Sequence, residues 1–150
     1  MEWLFKLCGS VMVVAASFAA GYMKSYELRQ RGRRLADLCR GLTGLKERIR
    51  MGGGEIERLV TESFENGLIK ADGSFSVDGR WLDEKDVALI YEYLTDIGMT
   101  DSESEYNRTE LYIKLLSKNR DEAEEKCVEL CRVYNAAGLL GGIFICIFFL

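Results

Sequence analysis

The sequence predicts an all-α protein, a helical bundle domain flanked by two terminal transmembrane helices. Three observations predict it: apolar residues recur at helical spacing through the centre, two uncharged runs stand at the ends, and 150 residues include no Pro. Average usage would supply about 5% Pro, whose absence costs a loop-rich β protein its turn chemistry and a helical protein little. There is also no His. That excludes Ser-His-Asp and Cys-His catalysis, an HExxH zinc site, and an imidazole acting as acid or base near neutral pH.

The ends come first. Residues 7–23 (LCGSVMVVAASFAAGYM) are 17 without a charge, and residues 133–150 (VYNAAGLLGGIFICIFFL) are 18 more. As helices they span roughly 25–27 Å, slightly under the ~30 Å hydrocarbon core. Paired at opposite ends, they predict membrane helices at 7–23 and 133–150, with a short extracytoplasmic tail at 1–6 and a domain at 24–132. A cleaved signal peptide competes for the first run, since Ser17, Ala19 and Ala20 are small. Lys24, Arg29, Arg31, Arg33 and Arg34 follow at once against Glu27 alone, and that basic flank argues for an uncleaved anchor. The positive-inside rule then sets residues 24–132 in the cytoplasm and both termini outside.

Within the domain, Leu28, Leu35, Leu38, Leu42, Leu45 and Ile49 form an a/d seam. They predict a long helix leaving the membrane and ending at Gly52-Gly53-Gly54. Ile56, Leu59, Val60, Ser63 and Phe64 mark a shorter helix closed by Asn66-Gly67. Residues 70–80 (KADGSFSVDGR) carry two Asp-Gly signals and predict a loop or at most a small hairpin. Asp72, Ser74, Ser76 and Asp78 alternate like calcium ligands. Val77 stands where an EF-hand loop requires Gly, however, and Asp83 where it requires a bidentate Glu.

The next helix starts near Asp83, with Val87, Ile90, Leu94 and Ile97 as its core stripe and Gly98 at its end. Thr100, Asp101 and Ser102 offer caps to the last helix, with capping-box spacing at Thr100/Glu103 and Ser102/Glu105. Tyr112, Leu116, Ala123, Cys127, Leu130 or Cys131, and Tyr134 then predict one helix from about 102 to 150.

Charge is segregated. Residues 24–58 carry ten Lys/Arg against five acids, and residues 59–132 nine against eighteen. The basic half suits anionic lipid. With the rest acidic and no groove-binding motif, nucleic acid is excluded as a partner. Five cysteines (Cys8, Cys39, Cys127, Cys131 and Cys146) form no paired framework and suit a reducing compartment. Cys127 and Cys131 share a helix face and read as small buried hydrophobes rather than metal ligands. No P-loop or dinucleotide fingerprint is present. No catalytic, cofactor or metal residues are assigned, and carboxylate pairs such as Glu124 and Glu125 read as a solvated helix face.

One packing motif is present. Gly138-Leu-Leu-Gly141-Gly142 is a GxxxG, and Ser17 and Gly21 match it in the first segment. Such small residues let helix backbones approach closely, either between the two segments or between protomers of a homo-oligomer.

These residues together resemble the stage III sporulation protein AB family. Lys6-Leu7, Gly9, Ser17 and Gly21 match its KLLG…S…G pattern, and Arg29 with the leucines through Leu45 and Ile49 its first cytoplasmic helix. Leu94…Gly98-Met-Thr-Asp101 is similar to its LGxSD element, with Glu105 where Gln would be expected, and Tyr134…Gly138-Leu-Leu-Gly-Gly142 to YxxLGxLxG. The resemblance makes Gly98, Asp101 and Tyr134 structural motif residues. It implies a domain like the inner-membrane platform (F) protein of type II secretion, working in the channel that joins mother cell to forespore. Its partners would be a secretion-type ATPase and other channel membrane proteins. Its place would be the outer forespore membrane on the mother-cell side, with no enzyme activity, cofactor or small-molecule substrate. The alternative the residues leave open is a membrane-tethered signalling or sensor subunit.

Overall fold

The computed structural model describes the backbone of residues 2–52, 54–64 and 66–149, and their side chains except at 2–8, 10, 13–14, 145–146 and 148–149. The elements are α1 (Glu2–Arg50), α2 (Ile56–Ser63), β1 (Ile69–Ala71), β2 (Phe75–Val77), α3 (Glu84–Thr95) and α4 (Ser102–Phe149). The chain forms two compact units, residues 31–122 and, from its two ends, residues 1–30 with 123–150.

In the 31–122 unit the a/d leucines of α1 become the core. Leu35, Leu38, Leu42, Leu45 and Ile49 are buried, as are Leu59 and Val60 of α2 and Ile90 and Leu94 of α3. Each fully buried Leu is worth about 1.5–3 kcal/mol. A contact that periodicity does not reveal fixes α2 on α1. Gly41 lies under the Phe64 ring, which occupies the space that a Cβ would need.

The 70–80 stretch takes the small-hairpin form that its two Asp-Gly signals allow. β1 and β2 pair antiparallel with Ile69 opposite Val77 and Ala71 opposite Phe75, and Gly73 turns the chain at φ +75°. These two three-residue strands stand in a chain that is otherwise mostly helical, as the all-α expectation has it. Ile69 is buried and Phe75 and Val77 half-buried, so the alternation gives the ribbon an inner face.

At the start of α4 one of the three candidate caps is used. Neither Thr100/Glu103 nor Ser102/Glu105 forms a capping box. Asp101 caps, its Oδ2 accepting from the Ser104 N–H at 3.2 Å. Glu105 lies on the buried face of α4, so its carboxylate turns inward and accepts from the Thr100 hydroxyl at 2.9 Å. α3 does begin at Asp83, in a reciprocal capping box with Asp86.

In the terminal unit, α1 and α4 meet through small residues. A Cβ on Gly21 would stand 2.8 Å from the Tyr134 carbonyl oxygen, and one on Gly138 3.1 Å from that of Ser17. The outward side chains are apolar. Met12 is 70% and Phe144 72% exposed, and Val11, Phe18, Leu140 and Ile147 are exposed too. An apolar surface this extensive suits hydrocarbon better than water. Among the described residues one helix is long and apolar enough to cross a membrane, namely α4 within Ser102–Phe144. The side chains of 7, 8, 10, 13 and 14 in the first apolar run lie outside the described residues.

Candidate functional site

The most constrained polar group in the 31–122 unit is Asp86, whose side chain is 0% exposed. Its Oδ2 accepts from Arg31 Nε at 3.0 Å, with Arg31 Nη2 also at 3.0 Å, and its Oδ1 accepts from Asn119 Nδ2 at 2.9 Å. Arg31 Nη1 reaches Asp83 Oδ2 at 2.9 Å. One buried carboxylate thus ties α1, α3 and α4 together. Periodicity could not find it, because an Asp on the stripe of α3 reads as a solvated first-turn acid.

A second polar cluster joins the end of α3 to the start of α4. Arg108 donates from Nη1 to the Asp96 carbonyl and from Nη2 to that of Tyr93, both at 2.8 Å, satisfying carbonyls left open by the helix end. Its guanidinium lies 5.5 Å from the Tyr93 ring centroid and 5.7 Å from that of Tyr112, within cation–π range. The Thr109 hydroxyl donates to the Glu105 carbonyl at 2.7 Å, which leaves Tyr93 to donate to Thr109 at 2.9 Å. Burial pushes the Tyr93 phenol up to about 12.

The residues singled out as the basic flank have separate surroundings. Lys24 pairs with Glu27 at 2.8 Å, and Arg33 is exposed. Arg29 is held above its ordinary pKa by the neighbouring Cys131 thiol and, less, by Cys127. Arg31 is committed to Asp86 and Asp83, and Arg34 approaches Asp78 at 3.8 Å. Cys131 is buried, with its Sγ 3.3 Å from that of Cys127. Burial pushes the Cys39 thiol up. The side chains of Cys8 and Cys146, like Gly53, lie outside the described residues.

No group of three or more His, Cys, Asp or Glu that could hold a metal ion occurs among the described residues. A hollow of about 400 Å³ between α1 and α2 is lined by Arg40, Arg48 and Glu62 among others, with its arginines paired to Asp37 and Glu62. Side chains so engaged are not set to activate a nucleophile. What the clusters do is brace helices.

The sequence model of the stage III sporulation protein AB family matches residues 57–150. The chain belongs to this family. No curated protein and no solved structure matches it. The AB-family match takes in the Leu94–Asp101 and Tyr134–Gly142 motifs, while the resemblance carried by Lys6–Gly21 and by Arg29–Ile49 lies outside it.

Within the AB-family region the structure gives the motif residues definite surroundings. Gly98 follows α3 with φ +81°, and a Cβ there would stand 2.9 Å from Ile56 Cγ1. Asp101 caps α4, and the Tyr134 carbonyl lies over Gly21. Gly138 packs on Ser17 of the same chain and Gly142 is buried, whereas nothing would meet a Cβ on Gly141 within 4 Å. Small-residue packing is therefore intramolecular at Gly21 and Gly138.

Proposed function

We propose that this AB-family member is a two-pass membrane platform subunit of the channel that joins mother cell to forespore during sporulation. Residues 7–23 and 133–150 anchor it in the outer forespore membrane, facing the mother cell. The domain between them is cytoplasmic and docks a secretion-type ATPase. It performs no catalysis itself and passes the ATPase's motion to the other channel proteins.

The observations that carry this reading are the apolar exterior of the α1/α4 pair in the terminal unit and, in the 31–122 unit, the helix-bracing Asp86 and Arg108 clusters. A platform needs that combination. A stiff domain transmits displacement, and an anchor resists it. Opposite charge on the partner would meet the acidic surface of residues 59–132, which carry nine Lys/Arg against eighteen acids.

Photo-crosslinking from exposed positions Leu111 and Lys118 in sporulating cells should recover the ATPase. Recovery of only unrelated proteins, together with normal spore formation in a deletion strain, would overturn the proposal. Function retained after loss of the neighbouring channel proteins would favour the sensor reading instead.

A further inference from the structure

Cys127 and Cys131 stand about one helical turn apart in α4, both within the terminal unit. Both are free thiols, and their Sγ atoms are 3.3 Å apart. Cys131 is buried against α1, its thiol donating to the Ser25 carbonyl at 3.7 Å, while Cys127 is half-buried. Arg29, exposed on the same stretch of α1, sets its guanidinium beside both sulfurs. The two thiols are thereby made unlike. At Cys127 burial and the neighbouring Cys131 push the thiol up. At Cys131 burial is outweighed, with the Cys127 S–H and the Arg29 charge among the causes, and the thiol is held below its ordinary range. A thiolate beside a cation is the reactive form of cysteine, whereas a thiol sealed in an apolar core, as Cys39 is, stays inert.

We infer that Cys127 and Cys131 form a thiol–disulfide exchange site for a low-molecular-weight disulfide, which closes them into a reversible bond within α4. The half-buried Cys127 is the sulfur that such an oxidant can reach. Its sulfur bonds to one sulfur of the oxidant, the oxidant's own S–S bond breaks, and the first small thiol leaves with the Cys127 proton. The Cys131 thiolate then attacks the Cys127 sulfur and expels the second small thiol, which takes up the proton that Cys131 had given to water. The two cysteines lose two electrons between them, and one disulfide is reduced to two thiols. Regular helix keeps the Cβ atoms of residues four apart about 5–6 Å from each other, whereas a disulfide needs about 3.5–4.5 Å. Closure therefore tightens the turn 127–131 just ahead of Val133, where the apolar run begins. A bond made against that spacing is easily reduced, so a reducing compartment reopens it.

Trypsin gives a clean readout, because cleavage after Lys126 and Arg132 releases Cys127–Arg132, a peptide with these two cysteines and no other. The full chain, reduced and in detergent, is exposed to oxidised glutathione, quenched with acid, alkylated, digested and analysed by mass spectrometry. The Cys127–Arg132 peptide should appear unalkylated and lighter by two hydrogens, before the Leu35–Arg40 peptide that holds Cys39 takes up glutathione. Cys131→Ser should stop at a glutathione mixed disulfide on Cys127, and Arg29→Gln should slow closure several-fold. If the native peptide stays reduced, or accumulates a mixed disulfide without closing, the exchange site is refuted. Closure at an unchanged rate in Arg29→Gln would refute the part assigned to the guanidinium.

Discussion

At the scale of single residues, the account turns on groups that carry more constraint than their type suggests. Replacing Asp86 with Ala leaves Arg31 and Asn119 without their shared acceptor, and breaking a buried pair in this way costs about 3–5 kcal/mol. The denaturant midpoint of the detergent-solubilised chain should fall accordingly with little change in slope. Tyr93 gives a pH signature. Its folded pKa of about 12 stands above the ordinary 10.0, so the folded state keeps the phenolic proton longer. That contribution is complete below pH 10 and is lost as pH rises toward 12, a change of ~2–3 kcal/mol. Tyr93→Phe should abolish this part of the decline, seen as the difference between the two stability curves over that window. Neither residue stood out in the sequence. Asp86 looks like a first-turn acid, and Tyr93 falls beside the Ile90–Leu94 stripe, because hydrophobic period reports apolar side chains and is blind to a buried charge that has found its partner.

Among elements, the helices and their glycine-marked ends were legible, and the side-chain contacts that lock them together were not. The seam from Leu35 to Ile49 and the long run from Ser102 both emerge as helices at the expected places, since each repeats one local rule many times. The hairpin was half legible. Its Asp-Gly turns are visible, but three-residue strands are too short to show a period. Caps depend on one side chain's choice among neighbours, and Asp101 took the role for which Thr100 and Ser102 also had the chemistry. Asp101→Ala should therefore cost about 1 kcal/mol, measurable by thermal or denaturant unfolding, whereas Ser102→Ala should cost little. The glycine motif divides in the same way. Gly138→Leu must push the Ser17 backbone away and should lower the melting temperature in detergent, while Gly141→Leu, with open space around it, should not. Equal effects at both positions would show that the α1/α4 pairing described here is not the one that holds the terminal unit together.

For the molecule as a whole, the family was legible by resemblance. The missing His and the absent phosphate loops removed enzyme classes, and the motifs pointed to the AB family that the 57–150 match establishes. A docking surface leaves no such mark, because any mixed charged helix face reads alike until a partner is known. The orientation of the domain decides whether an ATPase can reach it at all. The most direct measurement is thiol labelling of Ser74→Cys, on the exposed hairpin turn, with the native cysteines replaced and a membrane-impermeant reagent applied. A platform facing the mother-cell cytoplasm predicts labelling only after the cells are broken. Labelling in intact cells would contradict both the orientation and the ATPase partnership.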